Sequence, residues 1–234
     1  VKLNADSAIW KSSNEKIATV DDYGNVKGIT PGKVTISAII GEMELTYEVT
    51  IKLPFDDVNE NDWFYNAVKY MKDNRYMSGT TETTYSPSSK LTRGMLVTIL
   101  HNMEGKPKAT GTSKFADVQN KNMYYYSAVL WASSNKIVNG YSNGKFGADD
   151  NITREQLAVM LSNYCKYKGK YKVTNANYSK FSDSGKISGF AKTGMNWAVA
   201  NNIVNGSNGK LNPQGTANRA EAAAMIYNYC IKIK

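Results

Sequence analysis

The spacing of apolar residues changes near residue 54, and the two parts of the chain predict different architectures. Before that point short Val/Ile/Thr runs alternate with polar residues, in "IATV" at 17–20, "KVTISAII" at 33–40 and "ELTYEVTIKL" at 44–53. β-Branched residues at period two suit half-buried strands, and the interrupting "DDYGN" and "TPGK" supply turns. Beyond Pro54 the period becomes helical. Counted from Arg93, positions +3, +4, +6, +7 and +10 are Leu96, Val97, Ile99, Leu100 and Met103. From Arg154 they are Leu157, Ala158, Met160, Leu161 and Tyr164, and from Arg219 they are Ala222, Ala223, Met225, Ile226 and Tyr229. Each set draws one apolar stripe along a core-facing helix.

A shorter stripe precedes each of these helices, as in Trp63, Phe64, Ala67, Val68 and Met71, and in Tyr124, Tyr125, Ala128, Val129 and Ala132. Gly79, Gly140 and Gly206, in "YMSG", "KIVNG" and "NIVNG", are expected to close the shorter helices as left-handed C-caps. A polar loop follows, with Asn143-Gly144 as a tight-turn signal in "YSNGKFGADD". The whole unit occurs three times: "FDDV" at 55, "FADV" at 115 and "FSDS" at 181 open segments spaced by 60 and 66 residues.

The longer helices share an unusual start. Thr92, Thr153 and Asn218 can accept from first-turn N–H groups, and Gln156 and Glu221 complete capping boxes where Met95 cannot. Yet an arginine follows each cap, and a cation there opposes the helix dipole by a few tenths of a kcal/mol. Two readings account for it. Arg93, Arg154 and Arg219, with the free first-turn N–H groups, converge on an anion; or each arginine pairs with the F-x-D carboxylate of a neighbouring repeat.

Composition narrows the function classes. With 41% hydrophobic residues in 234, the chain can bury a sizeable core, and it holds no apolar run long enough to span a bilayer. No sequence of the secretory type opens it. Six Lys face seven Asp and Glu up to residue 53, a net −1, so the rest of the chain carries +10 against the total of +9 and suits an anionic polymer. No dense basic stripe or nucleic-acid-binding signature accompanies it. Cys165 and Cys230, in "SNYC" and "YNYC", occupy matching places, either bridged or separately buried. With the single His101 they make no conventional zinc site, and neither metal nor cofactor is expected. His101 reads as a core-edge or surface residue, and Asp56-Asp57 and Asp149-Asp150 read as turn or capping carboxylates. No nucleophile elbow, H-E-x-x-H or P-loop occurs, so catalysis is not expected of this chain.

The three segments resemble S-layer homology motifs, whose pattern runs F-x-D, an aromatic-rich helix, an I-x-G turn, a polar loop and then I/L-T-R-A-E. The resemblance implies an all-α, pseudo-threefold assembly of three helix-loop-helix repeats with grooves between them. It implies non-covalent anchoring of a bacterial surface protein to a secondary cell-wall polysaccharide, an anionic glycan that in several lineages bears a pyruvate ketal. Arg93, Arg154 and Arg219 match the family's ligand-contacting arginine. Asp57, Asp117 and Asp183 match its acidic partner, and Gly79, Gly140 and Gly206 the turn that approaches the groove. Trp63, Tyr125 and Phe190 fit either stacking on a sugar face or core packing. Departures fall in the boxes, T-R-G-M, T-R-E-Q and N-R-A-E, in Ser184 where the other repeats have Val, and in "NGSNGK" after Gly206. Three related grooves of unequal affinity are therefore expected.

Residues 1–53 contain W-x-S-S-N-x-x-I-A-T-V-D-x-x-G-x-V-x-G, which resembles bacterial Ig-like domains of group 2. That family is longer, so a partial β-sandwich is expected, one or two N-terminal strands lying outside this chain, and its role is that of a spacer. The reading is thus multidomain: an Ig-like module over 1–53 and repeats over 54–112, 113–179 and 180–234. The location implied is the extracellular face of a bacterial wall. The alternative reading is an adhesive or lattice-assembly module that binds protein, partly through the Ig-like part, instead of glycan.

Overall fold

The computed structural model describes residues 8–233. The chain divides into two compact units: one runs to Val58 and includes Thr81–Tyr85, and the other comprises Asn59–Thr80 and the chain from Ser86 onward. The division therefore falls inside the first repeat.

The first unit carries β1 (Ile9–Ser12), β2 (Ala18–Val20), β3 (Val26–Gly28), β4 (Gly32–Ile40) and β5 (Met43–Ile51). β4 is the centre of an antiparallel sheet in the order β1-β4-β5, and β2 and β3 form a separate antiparallel pair. The "DDYGN" turn joins β2 to β3, its Asp21 carboxylate accepting from the N–H groups of Tyr23 and Asn25. Gly24 there has φ +82°, and a Cβ on it would lie 2.5 Å from the Trp10 ring. Alternate residues of β4, Val34 and Ile36, join Ala18 in a small core against Trp10, Ile17, Val20, Val49 and Ile51. On β5 only Val49 and Ile51 pack toward this core, while Met43, Leu45 and Tyr47 earlier on the strand are exposed. Farther along this unit Phe55 packs against Tyr85 with ring centroids 5.4 Å apart, and Asp57 Oδ1 accepts from the Tyr85 N–H at 2.8 Å.

The second unit is helical, with α1 (Tyr65–Asp73), α2 (Arg93–Met103), α3 (Tyr126–Ser134), α4 (Arg154–Tyr167), α5 (Lys192–Ala200) and α6 (Arg219–Lys232). Short 3-10 turns at Ser184–Lys186 and Gly189–Ala191 precede α5. The three long helices start at the arginines, and Thr92, Thr153 and Asn218 accept from the N–H groups of Met95, Gln156 and Glu221. Both capping boxes close, and the first helix lacks one, as the residue at that position dictates. Every residue of the three long stripes is buried except Met103, which is partly so.

The short helices end differently from the sequence expectation. The left-handed residue that closes each short helix is Arg75 (φ 59°), Lys136 (φ 59°) or Asn202 (φ 53°); of Gly79, Gly140 and Gly206 only Gly206 is left-handed (φ 69°), and it lies beyond the helix end. The N–H groups of Tyr76, Ile137 and Ile203 reach back to Met71, Ala132 and Ala198 in the six-to-one bond of a Schellman motif. The glycines lie four residues farther on, inside the loop.

The long helix of each repeat packs on a short helix of another, α2 on α3, α4 on α5 and α6 on α1. Just before their caps, the three chains meet in a closed cycle of backbone bonds. Leu91 N–H donates to Ala217 O at 3.0 Å, Ala217 N–H to Ile152 O at 2.9 Å and Ile152 N–H to Leu91 O at 2.9 Å. All three residues are fully buried, where an unpaired peptide would be costly, so the ring fixes how the three helix starts face one another.

Candidate functional site

Each arginine reaches into the loop of another repeat. Arg93, 4% exposed, donates from Nε to Phe146 O at 2.9 Å and from Nη2 to Asn139 O at 3.2 Å. Its guanidinium lies over the rings of Tyr141 and Phe146, 4.6 and 4.8 Å from their centroids. Burial lowers its pKa from the ordinary value, with Tyr141, Asp150 and Asp117 opposing. Arg154 donates from Nε to Leu211 O at 2.9 Å and pairs through Nη1 with Glu221 at 2.9 Å. Arg219 Nη2 donates to Ser78 O at 2.7 Å.

The F-x-D carboxylates grip the same loops from the other side. Asp117 accepts from the N–H groups of Phe146 and Gly147 at 2.8 and 2.7 Å, and Asp183 from those of Leu211 and Asn212 at 2.8 Å each. The peptide units of Phe146 and Leu211 are therefore clasped twice, the carbonyl by an arginine and the N–H by an aspartate. Burial alone would raise both carboxyl pKa values, but the paired backbone donors outweigh it and the net shift is downward.

This geometry corrects the expectation of open helix termini. The N–H groups of Arg93 and Gly94 donate to Asp150 O and Ala148 O, those of Arg154 and Glu155 to Gly215 O and Pro213 O, and those of Arg219 and Ala220 to Ser89 O and Pro87 O. With the cap taking the next donor, the first turn holds no N–H group for an anion. Nor do arginine and aspartate meet directly in the Arg93 and Arg154 clasps; they share a peptide.

Gly140 and Gly206 do approach the site closely. A Cβ on Gly140 would lie 2.5 Å from both Lys145 O and the Phe115 ring, and one on Gly206 2.6 Å from both Lys210 O and the Phe181 ring. Gly79 adjoins Ser78, the acceptor of Arg219.

The aromatic positions need a second correction. Trp63 and Phe190 are 68% and 64% exposed, so they are not core residues, whereas Tyr125 is buried. Aligning Ala67, Ala128 and Gly194 puts Tyr124, 56% exposed, in register with Trp63 and Phe190. Of the two roles open to Tyr125 it takes core packing, and Tyr124 is the exposed counterpart of Trp63 and Phe190. Tyr125 fills space that Gly94 leaves open, since a Cβ there would lie 3.1 Å from its ring.

One groove of about 1160 Å³ brings members of all four candidate sets together, with Trp63 from the first repeat, Arg154 from the second and Asp183 and Gly206 from the third. Asn66, Lys186, Lys210 and Gln214 also line it, although they stand outside the motif residues of the sequence pattern. Their signal lay in the repeat register, which sets them at fixed distances from the motif residues. Elsewhere, His101 is buried, its Nε2 2.8 Å from Pro107 O and its ring against Trp131, and Cys165 and Cys230 are free thiols. Among the described residues no group of His, Cys, Asp and Glu could hold a metal ion, and no helix is long and apolar enough to cross a membrane.

These features define a class, a helical repeat module whose loops are clasped by arginines from other repeats beside a surface groove. The S-layer homology domain pattern matches residues 54–94, 114–158 and 180–223, more than half of the chain, and the bacterial Ig-like domain (group 2) pattern matches 2–51. The chain belongs to the S-layer homology family, whose members anchor surface proteins at the cell wall, and its location is the wall-associated cell surface. Relatives include an endoglucanase of Bacillus sp. (strain KSM-635), 28% identical over 77% of this chain and 19% of its own length. The surface-layer 125 kDa protein of Lysinibacillus sphaericus is 28% identical over 68% of this chain and 13% of its own. An S-layer protein of Bacillus licheniformis is 27% identical over 74% and 19%. The chain thus spans about a fifth or less of these relatives.

Proposed function

We propose that this chain anchors a surface protein non-covalently to the bacterial wall by binding an anionic secondary polysaccharide, pyruvylated or otherwise carboxylated, in grooves between its repeats. On this reading residues 54–112, 113–179 and 180–234 form one pseudo-threefold unit, the Ig-like module over 1–53 is a spacer, and the chain does no chemistry of its own. The observation that carries the proposal is the groove in which Trp63, Arg154, Asp183 and Gly206 lie together. An exposed indole beside polar side chains suits a sugar, one face stacked and the hydroxyls hydrogen-bonded. Family membership supports the wall as the site of binding. Arginine and aspartate act mainly by holding the loop that shapes the groove. The test is sedimentation with purified wall sacculi before and after chemical extraction of the secondary polymer. Binding lost on extraction supports the reading; binding indifferent to extraction favours assembly with protein and overturns it.

A further inference from the structure

The groove raises a question that anchoring leaves open: which cation meets the ligand's negative charge. Arg154 is poorly placed to do so. Its side chain is only 12% exposed, its Nε is taken by Leu211 O, and Glu221 neutralises it at 2.9 Å. Asp183 contributes a carboxylate whose two oxygens already accept backbone N–H groups. The remaining charges on the lining are the exposed ammonium groups of Lys186 and Lys210, for which no ion-pair partner occurs among the described residues.

The repeat register makes this pair peculiar to one groove. Three residues after the F-x-D aspartate stands Lys186 in the third repeat, but Asn120 in the second and Glu60 in the first. Immediately before the clasped Leu211 stands Lys210, with Lys145 and Thr84 at the matching places. Three residues after Leu211 comes neutral Gln214, matched by Asp149 and Ser88. The three sets therefore carry two positive charges, none net, and one negative charge. The loop of the second repeat is closed further by Tyr141 over Arg93, whereas Ser207 holds the corresponding place after Gly206.

Resting on the anchoring reading above, we infer that Lys186 and Lys210 recognise the carboxylate of the wall glycan, in the Arg154 groove alone, while Arg154 positions the loop that carries Lys210. Two flexible ammonium groups flank the groove without demanding the fixed planar geometry of a guanidinium fork. They attract a sugar acid over a Debye length, so the contribution weakens with salt.

The experiment is calorimetric titration of the whole chain with extracted wall polysaccharide, native and after carbodiimide–borohydride reduction of its carboxyl groups. The variants are Lys186→Gln combined with Lys210→Gln, and Lys145→Gln as the control in the neighbouring loop. All three lysines are exposed, so the variants are expected to fold as the parent does. The parent is expected to lose about tenfold in affinity on carboxyl reduction, the double variant to lose the same about tenfold on native polymer and nothing more on reduced polymer, and Lys145→Gln to match the parent. A double variant that still discriminates native from reduced polymer as the parent does overturns the lysine assignment and leaves anchoring standing. A parent that binds both polymers equally overturns the anionic ligand and the lysine assignment together, and one that binds neither overturns anchoring itself.

Discussion

Replacing Arg93 by Met tests whether the arginines hold the fold. The change keeps an unbranched stem and removes the guanidinium, leaving Phe146 O and Asn139 O without their donors at 2.9 and 3.2 Å and uncovering the Tyr141 and Phe146 rings. A hydrogen bond to a charged group contributes about 1.5–3 kcal/mol, and a cation over an aromatic face about 1 kcal/mol more. Against this, removal relieves the burial cost that lowers the Arg93 pKa, and water reaches part of the vacated loop. The net expected loss is about 3 kcal/mol. In a unit of this size each kcal/mol moves the midpoint by roughly 2–4 °C, giving a drop of about 9 °C. The helices α1–α6 of the described residues all lie in the second unit, so thermal unfolding followed by far-ultraviolet circular dichroism reports chiefly on that unit. A midpoint within about 3 °C of the parent, equivalent to roughly 1 kcal/mol, would refute the clasp as a source of stability.

Three further outcomes follow from the same geometry. Gly206→Ala puts a methyl 2.6 Å from Lys210 O on backbone at φ +69°, so an expected cost of about 2 kcal/mol should appear as a lower urea midpoint; an unchanged midpoint counts against close approach there. Asp117 and Asp183 have lowered pKa values in the folded state, so their stabilisation is present above the ordinary value of 3.8 and is lost as pH falls through the lower folded value. Acid titration of the helical signal should therefore be less steep in Asp117→Asn combined with Asp183→Asn, and an identical acid profile would contradict the double clasp. Burial pushes the Cys165 thiol up to about 11, Lys170 opposing, and likewise raises Cys230. Both should resist iodoacetamide in the native protein at about pH 8 and react after denaturation, and rapid native labelling would show the helix ends to be open.

Much of the local structure was legible because it depends on neighbours within a turn. Thr92, Thr153 and Asn218 cap helices wherever such residues precede an apolar stripe, and Gln156 or Met95 decides whether a box closes. The strands in "KVTISAII" and "ELTYEVTIKL" followed from β-branched alternation, although the exposure of Met43, Leu45 and Tyr47 on β5 did not. The short-helix ends were misread because Gly79, Gly140 and Gly206 looked like the cheapest left-handed residues. Hydrogen bonds back to Met71, Ala132 and Ala198 instead fix that conformation at Arg75, Lys136 and Asn202.

By itself the sequence determined that three capped helical repeats follow a strand-rich module, that arginine recurs at each long-helix start, and that the excess positive charge lies in the repeats. Tertiary structure alone decided what those arginines do. Arg93 meets Phe146 at a separation of 53 residues and Arg219 meets Ser78 at 141, distances over which neither period nor capping carries information. It also decided that Trp63 faces solvent while Tyr125 is buried. Helical spacing defines a stripe only to within one position at a helix end, and the packing of the other repeats chooses which side is covered.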